Sequence, residues 1–503
     1  MPYVSLIVEF LRARPAAVVW MVGGSQALLW FLLPTALYTS PPGELPQVLA
    51  VGREWQIGSW LGPPLAFWAA ELAFNAAGGR VFGVYLLAQL CVAAAFWAIY
   101  LLGRDMVGKR HAAMAALLMT GIYLLSVPTP AFGPPVLALP LTAVALLLYW
   151  RALNEPRRGH WIALGFVLGL LLLTTQWGLL LLLLAAFMPV TPQGRAALRS
   201  IDPYGAAALA LVIPYPYFFW LIRSGKASAS LAAAGRALDE GASGLLWWPL
   251  LLAGFVAAHA GLIVLAALAS GIGSNRAEQV PEIERPPLPV LAVPFAAFFA
   301  LAPALIGTLI AALFGYSSPS AGGQLALMSA LAVIVFAGNP VRIHRQRIAG
   351  WTLLAVLLAP PVVVVLAILF GPWTALGDFS SQQPANAMAR FFTDGFHRRV
   401  GKPLEVLVGD TRPVYLVAAA SSDRPRVYSA ARPERTPWLT DADVRRKGAI
   451  FIWPITDAVG APPAAMRARF PELVTEVPQT FPRRIQGFLP TYRVGWAMLR
   501  PQP

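Results

Sequence analysis

Apolar runs long enough to cross a bilayer recur along the first three quarters of this chain, and no other feature narrows its fold so far. A hydrocarbon core of about 30 Å needs roughly 17 to 25 helical residues. By that measure crossings are expected near 16–38, 80–102, 111–127, 134–150, 204–222, 244–270, 288–314, 322–337 and 348–371. The stretch from His160 to Val190 is too long for one crossing and is interrupted by Thr174-Thr175-Gln176, so it reads as two short ones, which makes about eleven in all. The run at 16–38 exceeds a signal-peptide core and lacks a small-residue cleavage pattern, so it is expected to stay as the first crossing. With 58% hydrophobic and 12% charged residues, a soluble globular class is excluded.

The formal charge of +15 would suggest a nucleic-acid partner in a soluble protein. Here the cations of the helical region sit in short turns between apolar runs, where they set orientation, so no nucleic acid is expected. With the N-terminus inside and eleven crossings, the inward segments carry fifteen Lys and Arg against five in the outward ones. The segment 39–79, between the first and second crossings, then faces outward, and so does the tail.

From Gly371 onward, short alternating apolar pieces replace the long runs. Expected there are helix 384–400, strand 404–408, helix 413–421, strands 426–429 and 450–453, helix 462–469 and a closing hairpin near 485–499, a small α/β layer. The domain reading is thus 1–372, an all-α polytopic membrane bundle, and 373–503, a water-soluble α/β domain with a core of its own. Asp410 and Asp457 each follow an expected strand, where binding and helix capping are both open readings.

The stretch from Gly43 to Asn75 holds Glu44, Arg53, Glu54, three tryptophans and Pro63-Pro64. Leu45, Val48, Leu49, Gly52 and Trp55 fall at helical spacing, as in a helix lying on a bilayer at the mouth of a site. Glu44 could act there as a general base toward a hydroxyl, its pKa raised by partial burial, or be a solvated charge at a helix start. Glu54 is expected to pair with Arg53 or solvent, and Glu71 is ambiguous. Arg223 and Lys226 follow the aromatic run Pro214–Trp220 and fit either a lipid phosphate or snorkelling anchors.

Other motifs carry less. Gly103–Lys109, GRDMVGK, has phosphate-loop spacing, but Arg110 stands where Ser or Thr is needed and no strand precedes it. The histidines are scattered: His111, His160 and His344 read as membrane-interface residues and His259 as a satisfied packing residue. The single cysteine, Cys91, excludes an intramolecular disulfide and reads as a helix-packing residue.

The segment from Glu44 to Trp68, ELPQVLAVGREWQIGSWLGPPLAFW, resembles the first outer loop of family 39 glycosyltransferases, membrane enzymes of the GT-C fold that include protein mannosyltransferases and aminoarabinose transferases. Further similarity lies in 80–105, in the AFGPPVLALPL step, in the broken hairpin at Gln176, in the PYPYFFWLIRSG exit and in the stretch from GKPLEVLVGD to FIWP. The resemblance implies transfer of a sugar from a polyprenyl-phosphate donor to a lipid, glycan or protein hydroxyl at the periplasmic face of a bacterial inner membrane, usually with inversion. By carry-over Glu44 is the acidic catalytic residue, and Arg53, Glu54, Trp55, Pro63, Pro64, Gln176, Arg223 and Lys226 line the substrates. The pattern departs at Gly62, where relatives hold His or Lys, and at Pro134-Pro135, in place of a second acid. A divalent metal site therefore lacks its usual second ligand. A catalytically degenerate lipid-glycan binder stays open beside the enzyme, as does a transporter, although few ionisable groups fall within the apolar runs.

Overall fold

The computed structural model describes residues 9–175, 178–224, 245–270, 282–314, 322–338, 340–342, 346–374, 380–455 and 460–502. The chain divides into two compact units. The first comprises Met1–Leu32, Trp60–Ala66 and Phe82–Val362; the second comprises Leu33–Ser59, Phe67–Val81 and Val363–Pro503.

In the first unit the apolar runs are helical. Among the described residues, five helices are long and apolar enough to cross a membrane: Pro15–Leu37, Phe82–Val107, Pro134–Asn154, Ala292–Leu313 and Ile348–Trp373. Two further candidates are bent pairs, Asp202–Val212 with Tyr215–Arg223 at 52° and Leu245–Ala257 with Ala260–Ser270 at 53°. The first bend falls at Pro214, which cannot continue a ladder of backbone hydrogen bonds. The expected interruption after His160 is present, with helices Arg158–Leu172 and Leu179–Phe187 flanking it.

Two expected crossings are shorter than their apolar runs. One helix spans only Lys109–Met119, and another only Ser329–Phe336. The first stops because the chain turns at Gly121 and joins the break in a bent pair: Leu262 N donates to Gly121 O at 3.1 Å and Tyr123 N donates to Ala258 O at 2.8 Å. Any Cβ at Gly121 would meet the Leu262 nitrogen at 2.3 Å, so glycine permits this approach. Irregular backbone among apolar helices is stable where protein satisfies it. His259 lies in that break, not inside a helix, and is satisfied as expected, with Nδ1 2.8 Å from Phe255 O and Nε2 3.0 Å from Ser329 Oγ. His111 differs from expectation: it is buried, 1% exposed. His160 is partly exposed, and His344 lies outside the described residues.

The second unit contains a five-stranded sheet of order β4-β3-β5-β7-β6, with β3 Val406–Val408, β4 Arg426–Tyr428, β5 Ala449–Pro454, β6 Gln479–Phe481 and β7 Tyr492–Leu499. A two-stranded ladder in the first unit, β1 Glu282–Glu284 with β2 Pro340–Arg342, precedes them in the chain. β3 runs parallel to β4 and β5, while β7 is antiparallel to β5 and β6. β3 and most of β5 are buried throughout, which explains their unbroken apolar runs. The closing hairpin begins earlier than expected, at Gln479, and a helix at Asp441–Lys447 was not expected. Its start carries a reciprocal Thr440/Asp443 capping box, a signal readable in the sequence TDAD.

Candidate active site

Three short pieces of the second unit build the site: the segment Leu37–Glu44, the helix Leu45–Gly52 and the helix Leu65–Ala76 from Phe67 onward. Leu45, Val48, Leu49 and Gly52 are buried as one stripe, as their spacing predicts. Their cover is not lipid, however: the stripe packs on the helix Arg412–Ala420 of the sheet. An apolar face records that it is covered, without naming the cover. Gly52 is required by a different neighbour, the helix Leu65–Ala76, because a Cβ there would meet Phe67 O at 2.4 Å.

Glu44 occupies the N-cap position of the Leu45–Gly52 helix with no side-chain cap hydrogen bond. It is exposed, so the partial burial expected of it is not found. Behind it the backbone is fixed. Thr39 N and Ser40 N donate to Ser381 O at 3.0 and 3.2 Å, Ser40 Oγ donates to Ser380 O at 2.8 Å, and Gln383 N donates to Ser40 Oγ at 3.1 Å. The carboxylate, without a partner among the described residues, thus stands at the end of a hydrogen-bonded platform, on the positive end of a helix dipole.

Glu54 is not the partner of Arg53. Its carboxylate is held by Arg426, whose Nε donates to both oxygens at 3.0 and 2.9 Å and whose Nη2 donates to Oε2 as well. Glu71, 3% exposed, forms a second two-pronged pair with Arg424, at 2.8 and 3.0 Å, and that guanidinium lies 4.2 Å from the Phe74 ring centroid. Bidentate pairs of this kind combine charge with fixed geometry. Arg53 is left over: its Nη1 is buried with no hydrogen-bond partner among the described residues. Burial, followed by the nearby positive charge of Arg424, pushes its pKa below the ordinary arginine value. The cluster of Arg53, Arg424 and Arg426 with Glu54 and Glu71 therefore keeps one positive charge in excess.

Trp55 is 47% exposed, has φ +50° and lies 6.3 Å from Trp68 between ring centroids. Trp55 and Arg424 are the two non-glycine residues with positive φ among the described residues, and both belong to this seam. Strained residues of this kind persist where surrounding contacts over-determine them, commonly at functional sites.

The other sequence-predicted residues fall elsewhere. Pro63 and Pro64 are buried in the first unit, and Arg223 is exposed there with its guanidinium 5.3 Å from the Phe219 ring centroid. Gln176 and Lys226 lie outside the described residues, as does Asp457. Asp410 is engaged in shaping its own turn, accepting from Ser429 Oγ and from Ala431 N at 3.2 Å. Gly62 has φ +126°, a conformation that excludes the His or Lys found there in the resembling family without strain. Sequence reasoning missed Arg412, Arg424 and Arg426, which lie more than 350 residues from the loop they hold. No local pattern marks them.

Among the described residues, no three His, Cys, Asp or Glu side chains converge as a metal site. Glu54 and Glu71 are each held by an arginine.

Apolar spanning helices joined to a small α/β unit define a polytopic membrane protein. Residues 62–220 match the family described as dolichyl-phosphate-mannose-protein mannosyltransferase. ArnT from Cupriavidus metallidurans in the apo state is similar in structure, with TM-score 0.60 and 13% identity, covering 97% of this chain and 100% of that one. The oligosaccharyltransferase of Archaeoglobus fulgidus in complex with zinc and sulfate aligns with TM-score 0.44 and 13% identity, over 86% of this chain and 67% of that one. No curated protein sequence is significantly similar. The fold is GT-C, as the resemblance implied, and the chain is a polytopic membrane protein of that fold.

Proposed function

We propose that this protein transfers a sugar from a polyprenyl-phosphate donor to a hydroxyl on a lipid, glycan or protein at the periplasmic face of a bacterial inner membrane, with inversion. The domain reading of 1–372 as bundle and 373–503 as periplasmic domain belongs to the same proposal. The observation that carries it is the carboxylate of Glu44, exposed and without a side-chain cap hydrogen bond or ion pair among the described residues, while Glu54 and Glu71 of the same stretch are each held by an arginine. Glu44 removes the acceptor proton as the hydroxyl attacks the anomeric carbon, and the departing phosphate takes the bonding electrons. Arg53, with an N–H that meets no partner among the described residues, is the group of this loop suited to that phosphate. Cations fixed before the reaction stabilise leaving-group charge at no cost in reorganisation. Trp55 offers an exposed aromatic face to a sugar or prenyl chain.

The purified protein is to be supplied with radiolabelled polyprenyl-phosphate sugar and membrane lipid acceptors. Transfer by the wild type that disappears in Glu44→Gln supports the reading; transfer that is unchanged in the variant removes Glu44 from the mechanism. A second reading, a lipid-glycan binder without turnover, is favoured by Gly62, whose positive φ disfavours a cationic side chain at that step. Saturable binding of the donor with no transfer identifies it.

A further inference from the structure

The cation at residue 412 stands in the wrong place for a helix. It opens the helix Arg412–Ala420, whose N-terminal end is positive, so the dipole opposes it. Its contacts account for the choice. Nε donates to Gln383 Oε1 at 2.8 Å, Nη2 donates to Pro41 O at 2.6 Å and to Ser380 O at 2.9 Å, and Nη1 donates to Gly43 O. One planar fork therefore grips the two carbonyls that bracket Pro42, directly ahead of Glu44, and ties them to the 380–383 turn. Gly43 has φ +53°, so the peptide entering Glu44 is bent through a conformation that glycine supplies and the clamp holds.

We infer that Arg412 is the positioning residue for Glu44: it fixes the direction of the carboxylate without touching substrate, and makes the sheet-bearing unit a working part of the transferase. The inference rests on the proposed role of Glu44. A lysine cannot replace it, because an ammonium is a single point and cannot span three carbonyls and an amide oxygen in one plane.

Hydrogen exchange by mass spectrometry on the full-length protein in detergent tests the clamp independently of turnover. Arg412→Gln and Arg412→Lys are each expected to raise exchange in the 37–45 peptide at least tenfold while β3 and β5 keep wild-type protection. Unchanged exchange in 37–45 overturns the inference, and so does a rise shared equally by β3 and β5, which marks a general stabiliser. Transfer assays on the same samples are expected to show kcat lowered at least tenfold with donor KM within twofold. A local rise in exchange with kcat unchanged also overturns the positioning role. If the wild type itself transfers nothing, the functional proposal falls, while the exchange result still decides whether Arg412 orders the Glu44 loop.

Discussion

Arg426 grips Glu54 unequally: the Glu54 side chain is 2% exposed, whereas the Arg426 side chain is 34% exposed. The two halves of the pair should therefore respond differently to loss of their partner. Arg426→Ala strands a buried charge and is expected to destabilise the second unit by about 3–5 kcal/mol. Glu54→Ala leaves an arginine that reaches water and should cost less, about 1.5–3 kcal/mol. Denaturant unfolding followed by tryptophan fluorescence measures both, and equal costs would contradict the asymmetry.

Arg53 carries the opposite expectation. Its buried Nη1 has no partner among the described residues and burial disfavours its charge, so Arg53→Met is expected to leave stability unchanged or raise it by up to about 1 kcal/mol. The same change should raise the KM for a polyprenyl-phosphate sugar on the order of tenfold, about 1.4 kcal/mol of lost binding. Thermal unfolding and donor titration read the two effects separately.

Gly62 should resist conversion to the family's usual residue. A Cβ there meets nothing within 4 Å, so the cost of Gly62→His is backbone strain at φ +126°, about 1–3 kcal/mol. Restored or enhanced transfer in Gly62→His, with an unchanged melting temperature, would show that the loop adapts more readily than its backbone indicates.

Tyr428 supplies a pH test of the sheet. Burial and the hydrogen bond it donates to Asp441 push its pKa up to about 12, above the ordinary value near 10. A raised folded-state value means that the stabilisation is complete below pH 10 and is lost as pH rises through 12. The difference in 295 nm absorbance between wild type and Tyr428→Phe should accordingly titrate near pH 12; titration near 10 would contradict the buried phenol.

Much of the scaffold was legible from local pattern. Runs such as 82–107, 134–154 and 292–314 are apolar over a full crossing length, and helix is the structure that satisfies their backbone in lipid. The strands around Val408, Tyr428 and Trp453 were equally plain, because short apolar β-branched runs bounded by turn residues have few other uses. The lengths of the helices at 109–119 and 329–336 were not, since Gly121 ends the first through hydrogen bonds to residues about 140 positions away.

For the site, the sequence by itself determined that Leu45, Val48 and Leu49 form a covered face and that Glu44, Arg53 and Glu54 crowd one loop. Only the tertiary structure decided that a helix packed on the sheet supplies the cover, that Arg426 and Arg424 neutralise Glu54 and Glu71, and that Glu44 meets no cation among the described residues. Periodicity along a chain reports whether a side chain is buried, a property of its own helix or strand. Which charge meets which depends on where the topology returns the chain, and nothing within a few residues of Glu54 encodes the arrival of an arginine 372 positions later.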